Sequence, residues 1–348
     1  MLRPPLRIAL ALIASSPLLA SAWDRGQVHT FAVLPDGSGG PEGIEVDPQG
    51  NVYVASFGFD AGGPVLGPDQ KPRQLGRLFI FDRQGRLQRQ VDIDKSSAHL
   101  LGLHRRASGK LLVADFGQGK VLEVDPSNAA SPLPSTVFMT VPVDPATTSL
   151  NDITEDAQGN VYVSDSFNGV IWRTGPGGGE ATSFASSPLL QTAGVPPFGA
   201  NGLRFDPAGT ALFVANTGND TVVKVPASGG AGTATVFVNG INGADGLEID
   251  DDGNFWVVAN QADEIVVLDP AGKTIAKLGD FGGAIRNGAP DGLLFPASLR
   301  FSRGSVFVTN LALDLRLFNP AFVSGDSPWA AQVTRYTVSR LQARIPGR

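Results

Sequence analysis

The 348-residue chain is 42% hydrophobic, carries 27 Lys and Arg against 33 Asp and Glu, and contains no cysteine. That length permits one large core or two ordinary ones, while the absent cysteine excludes disulfides, thiolate metal sites, a cysteine nucleophile and a lipid-modified signal junction. The acidic balance, without any Lys/Arg cluster, argues against nucleic acid as a partner.

In chain order, residues 1–22 read as a secretory signal. Arg3 and Arg7 supply positive charge, residues 8–14 an apolar stretch, and Ala20-Ser21-Ala22 a small-residue cleavage site. The apolar run falls short of the ~20 residues of a membrane span and is interrupted by Ser15, Ser16 and Pro17. Residues 23–348 are therefore expected to form a single domain, periplasmic or secreted and free of the membrane, beginning at Trp23.

After a solitary strand predicted over 28–34, one phrase recurs. It reads PEGIEVDPQGNVYVAS from Pro41, LLGLHRRASGKLLVADF from Leu100, LNDITEDAQGNVYVSDS from Leu150, ANGLRFDPAGTALFVANT from Ala200, ADGLEIDDDGNFWVVANQ from Ala244 and, more loosely, ASLRFSRGSVFVTN from Ala297. Aligned on the residue before the Gly-hydrophobic step, the copies begin at Glu42, Leu101, Asn151, Asn201, Asp245 and Ala297, spaced as propeller blades are. Each copy holds a short strand, a tight Asp/Gly turn and a β-rich apolar strand. Third strands are predicted over 78–82, 121–125, 170–174, 221–225, 264–269 and 333–338, and a fourth follows most of them. No stretch carries a 3.6-residue period. The fold class is all-β, a six-bladed β-propeller of four-stranded blades. Because the last copy runs out of chain after its third strand, residues 28–34 are expected to pair beside 333–338 and close the circle, hiding the edges at the seam.

The six aligned residues should form a ring at one mouth of the central channel, on the face that also carries the long insertions 56–76 and 310–332. Long loops on a rigid scaffold are where function usually sits. Glu42, Asn151, Asn201 and Asp245 would present only oxygen, at a net charge of −2. That chemistry suits a hard divalent cation such as calcium. The competing reading makes these four simple turn residues, which accounts for Asn and Asp better than for Glu42. Ser56, Asp115, Asp165, Asn216, Asn260 and Asn310, which end the second strands, read as turn formers for the next connection. His99 falls near the mouth. The insertions mix Gly and Pro with apolar groups (Phe57, Phe59, Val65, Leu66; Leu311, Leu313, Leu317, Phe318, Phe322, Trp329) and are expected to meet beside Glu42 as a folded cap.

On these residues the sequence resembles the regucalcin/gluconolactonase family, and more distantly diisopropyl fluorophosphatase and the paraoxonases. The resemblance implies a divalent metal, calcium by preference, held by Glu42 of PEGIE, Asn151 of LNDI, Asn201 of ANGL and Asp245 of ADGL. It makes Asp245 the candidate general base or nucleophile and Asp152 a carboxylate that fixes the ligand ring, and it places Ser149 near a small-molecule substrate, which His99, near the mouth by the repeat register, is also expected to meet. The sugar-lactone enzymes carry an Arg at the position of Ser149, which argues against a sugar acid. The histidines of paraoxonase and of the fluorophosphatase correspond to Leu101 and Arg300. The leading expectation is an exported metal-dependent hydrolase of lactones or other esters, favouring hydrophobic ones. The alternatives are a non-catalytic binding propeller with NHL-like repeats and a metal-dependent lyase or isomerase on the same scaffold.

Overall fold

A computed structural model describes residues 24–60, 63, 64, 66, 70, 71 and 73–346. The expected signal segment, Trp23 and Val65 lie outside these residues. Six sheets, each with four antiparallel strands, follow one another around an axis, and those of the second and third blades gain a two-residue parallel strand, Gly179–Glu180 and Gly230–Ala231, from the next blade. Their innermost strands are Pro41–Val46, Leu100–Arg105, Leu150–Glu155, Ala200–Phe205, Ala244–Ile249 and Pro296–Ser302. No helix among the described residues is long and apolar enough to cross a membrane.

The sixth blade closes the circle. His29–Val33 pairs antiparallel with Thr337–Gln342, which pairs in turn with Ser305–Asn310. The last third strand thus lies four residues beyond its predicted position of 333–338. The reason is local: residues 327–330 form a short helix, and Val333 and Tyr336 pack beneath the seam, so the connection extends further than the apolar pattern indicates.

Alternation explains the continuous apolar second strands. In Val52–Ser56, Val52 and Val54 face the sixth blade, while Tyr53 and Ala55 face the second. Side chains of a strand alternate between its two faces, and here each face is covered by a neighbouring blade, so every position is buried. The far-face turns are pinned by a repeated carboxylate: Asp47 accepts from the Asn51 amide at 2.8 Å and from the Tyr53 hydroxyl at 3.0 Å, and Asp156 does the same for Asn160 and Tyr162.

The inner strands share one irregularity. In all six blades the pairing of first and second strand shifts register across the ring residue and its successor, as between Pro41 and Ile44 or between Ala244 and Leu247. A bulge adds one residue and re-aims side chains, so the ring residues escape the regular in-out alternation of the blade. Four of the six successors are glycine, and packing requires it. A Cβ on Gly43 would lie 2.2 Å from the Leu101 carbonyl oxygen, and one on Gly202 would lie 2.4 Å from that of Asp245. The inner strands therefore meet backbone to backbone, which brings the ring together at the axis.

Candidate metal centre

The bulges bring Glu42, Asn151, Asn201 and Asp245 to one small cavity of about 30 Å3 at the channel mouth, although they span more than two hundred residues of sequence. All four are at least nine-tenths buried. Thr217 and Asn260 complete its polar lining, and Leu101, from the second blade's ring position, adds an apolar contact. The rest is apolar and comes from the connections: Phe57, Pro196, Phe198, Phe295, Leu311 and Leu313. The two insertions do meet beside Glu42, and Phe57, Leu311, Leu313 and Leu315 belong to one apolar cluster that continues into the second and third blades. Trp329 takes no part in it. Its ring packs edge-on against Phe281 at 5.6 Å, on the apolar cluster between the sixth and first blades.

The orientation of the amides decides what the cavity offers. Asn151 donates its Nδ2 to Ser166 Oγ at 3.1 Å, and Asn201 donates its Nδ2 to Thr217 Oγ1 at 2.9 Å. With the nitrogens tied to the wall, Glu42 Oε2, Asn151 Oδ1 and Asp245 Oδ1 remain buried without any hydrogen-bond partner. Unpaired buried oxygens are costly. Burial, and then the charges of Asp245 and Asp152, hold the Glu42 carboxyl well above the usual carboxylate range. Burial pushes Asp245 up to about 8, against the pull of its hydrogen bond from Asn260.

A ring whose unpaired atoms are all acceptors, with two repelling carboxylates, fits a hard cation, which would satisfy the orphaned oxygens and return both acids to their ionised forms. Among the described residues no group of three or more His, Asp or Glu gathers as a metal cluster, so charge neutralisation would fall to Glu42 and Asp245, with the carboxamides as neutral donors.

Beneath the ring, three residues further along the inner strands, lies a layer of charge that fills the channel. Arg204 bonds Asp152 and Glu248, both at 2.9 Å, and Arg300 bonds Glu248 at 2.7 Å and approaches Glu45 at 3.5 Å. Asp152 is therefore buried among the channel's charges and is no exposed turn residue. It touches Arg204, not a ring side chain, and acts on Glu42 and Asp245 through its charge. This layer was missed in the sequence, where a signal existed: the same repeat position reads Glu45, Arg204, Glu248 and Arg300.

Ser149 and His99 do not line the cavity. Ser149 is wholly buried, its backbone N–H donating to Asp165 at 3.1 Å. The His99 ring bonds the Phe57 carbonyl through Nδ1 at 2.7 Å and stacks on Phe59 at 4.3 Å, so it supports the cap from behind. Asn260, read as a turn former, instead lines the cavity and donates to Asp245 Oδ2 at 3.0 Å.

A six-bladed propeller with a polar ring at one mouth under an apolar cap is thus the class of protein that fold and site define. Residues 74–279 match the SMP-30/Gluconolactonase/LRE-like region, and the chain belongs to that family. Residues 30–58 also match the N-terminal part of strictosidine synthase-like proteins. No curated protein sequence matches the chain significantly. Among solved structures, luciferin-regenerating enzyme is similar at 14% identity and TM-score 0.61, over 91% of this chain and 95% of that one. A calcium-binding regucalcin from Agrobacterium tumefaciens is similar at 17% identity and TM-score 0.59, over 92% and 96%. A gluconolactonase from Xanthomonas campestris is similar at 15% identity and TM-score 0.59, over 91% and 89%. These likenesses establish the fold.

Proposed function

We propose that the chain is an exported, calcium-dependent hydrolase acting on hydrophobic lactones or other esters. The observation that carries this reading is the set of buried, unpartnered oxygens of Glu42, Asn151 and Asp245 converging on one cavity that the connections wall with apolar groups. The family membership and the calcium-binding and gluconolactonase neighbours support it.

In this reading Glu42, Asn151, Asn201 and Asp245 hold the cation, which when bound polarises the ester carbonyl. Asp245 has one oxygen held by Asn260 and one free. The free oxygen takes the proton of the water that attacks the carbonyl carbon, the acyl–oxygen bond breaks and the departing alkoxide takes that proton. Alternatively the oxygen attacks the carbonyl carbon itself, expels the alkoxide, and water then hydrolyses the acyl-enzyme. Phe57, Phe198, Leu311 and Leu313 exclude bulk water and receive the apolar part of the substrate. A volume of about 30 Å3 has room for little more than an ion and a water, so the acyl group enters by displacing side chains of the cap. The wall holds no arginine for a sugar carboxylate: Ser149 stands behind it.

The test is a panel of aliphatic and aryl esters and lactones with added calcium, on wild type and Asp245→Asn. Hydrophobic lactones should turn over faster than gluconolactone, and Asp245→Asn should lose at least about a hundredfold in kcat. If nothing turns over above the Asp245→Asn background, a binding propeller replaces the hydrolase. If gluconolactone is best, the account of Ser149 and the cap is wrong.

A further inference from the structure

The residue that ends the second strand pairs with the start of the first in every blade, and where it is polar it mostly binds the connection that leads into its own blade. Asp115 accepts from the Ser97 N–H at 2.9 Å, and Asp165 accepts from the Ser149 N–H at 3.1 Å. Asn216 donates to the carbonyls of Leu189 and Gln191, both at 2.9 Å, and Asn310 accepts from the Leu294 N–H at 3.2 Å. Ser56 accepts from the Gly58 N–H at 3.3 Å. In the fifth blade that place is held by Ala259, and Asn260 follows it, equivalent to Ser166 and Thr217, which accept from the ring residues Asn151 and Asn201 of their own blades; Asn260 donates instead. Its side chain has no bond to the connection: Nδ2 goes to Asp245 Oδ2 at 3.0 Å, and Oδ1 is buried with no partner.

The surroundings hold that amide in place. Asn260 is 1% exposed, its backbone N–H donates to the Gly243 carbonyl at 2.9 Å, and a Cβ on Gly243 would lie 1.9 Å from Asn260 Oδ1. Gly243 has φ +68°, a backbone that few other residues adopt. The approach to the fifth blade thus leaves room for the amide oxygen at the expense of a side chain. Leaving a buried oxygen unpaired is costly, and here the arrangement supplies a donor aimed at one particular carboxylate oxygen.

We infer that Asn260 is a positioning residue for Asp245. Its amide occupies Oδ2 and so turns Oδ1, which has no other partner, toward the cavity as a single-oxygen donor. This rests on the cation-site reading above and deepens it, because groups that orient a metal-binding side chain from behind commonly govern affinity by 10–100-fold. A donor at this place is what the role requires. A carboxylate would repel Asp245 and could not donate, whereas if residue 260 touched the cation directly an added carboxylate would preserve or tighten binding.

The experiment is calcium titration by calorimetry on the full mature chain, for wild type, Asn260→Ala, Asn260→Asp and Asn216→Ala, with melting temperatures measured in chelator. Asn260→Ala and Asn260→Asp should each weaken calcium binding at least tenfold. Asn216→Ala, at the end of the fourth blade's second strand and outside the cavity lining, should lower the melting temperature while leaving affinity within about twofold, which separates positioning from a general loss of structure. Unchanged affinity in Asn260→Ala, or equal or tighter binding in Asn260→Asp, overturns the inference while leaving the cation site standing. A wild type that binds no calcium removes the site and this inference with it.

Discussion

Replacing Asp245 with Asn should abolish calcium binding and at the same time stabilise the ion-free protein. In the fold Asp245 is 4% exposed, and its pKa is pushed from 3.8 up to about 8, chiefly by burial. A carboxyl whose folded pKa is raised keeps its proton in the fold after the unfolded chain has released it, so its stabilising balance is whole below about pH 4 and is lost as pH rises toward 8. At pH 7 that difference spans about three pH units at about 1.4 kcal/mol each, a penalty on the order of 4 kcal/mol. Asparagine is nearly isosteric. Its oxygen can keep the bond from Asn260, and its nitrogen would face the cavity in place of the unpaired Oδ1. In chelator at pH 7, Asp245→Asn should therefore melt about 5 °C or more above wild type, and the gain should shrink toward zero at pH 4.5. Saturating calcium should reverse the order, since a ligand at a thousand times its Kd adds about 4 kcal/mol to the protein that binds it and nothing to one that does not. A variant equal to or less stable than wild type in chelator at pH 7 would refute the reasoning.

Two further outcomes follow from other parts of the molecule. Asp263, 7% exposed, is pushed up to about 8 by burial and by the neighbouring charge of Asp326, with Asp280 adding to it, while its Oδ1 accepts from the Phe295 N–H at 2.8 Å. Asp326 is raised as well, mainly by burial, and precedes the short helix of the cap. Stability from this pair should fall between about pH 4 and 8, and Asp263→Asn, measured in saturating calcium, should gain on wild type as pH rises across that window; parallel melting curves against pH would count against a shared proton. Deleting residues 24–35 removes the strand that covers Thr337–Gln342, together with the buried Ala32 and Leu34. Leu34 alone contributes about 2–3 kcal/mol, so the whole propeller should melt at least about 5 °C lower in one cooperative transition, and an unchanged melting temperature would show that closure does not depend on this strand.

Much of the architecture was legible because it repeats. A propeller writes the same two strands and turn six times, and the missing last strand points to the spare one at the other end of the chain. Glu42, Asn151, Asn201 and Asp245 were legible for the same reason, since one aligned column becomes one ring. What was not legible depends on how blades meet. The bulge that aims the ring is a backbone feature with no residue type of its own, beyond the glycines that permit close approach. Asn260 looks in sequence like Asn216 and Asn310, but it sits one residue further along, where Ser166 and Thr217 stand in their blades, and so meets the ring residue Asp245. Ser149 was placed by its match to the family's Arg position and His99 by the repeat register, but Asp165 and Phe57 draw them behind the wall. The shift of the last third strand reflects a folded insertion, whose apolar residues imitate strand positions.

The central claim is that the ring holds one divalent cation, and elemental analysis of protein purified without chelator tests it most directly. The account predicts one calcium per chain in wild type, removed by chelator with a fall in melting temperature, and absent from Glu42→Gln, which loses one of the two charged ligands while keeping the fold. Wild-type protein that carries no divalent ion and takes up none from millimolar calcium, or Glu42→Gln that retains a full equivalent, would contradict it.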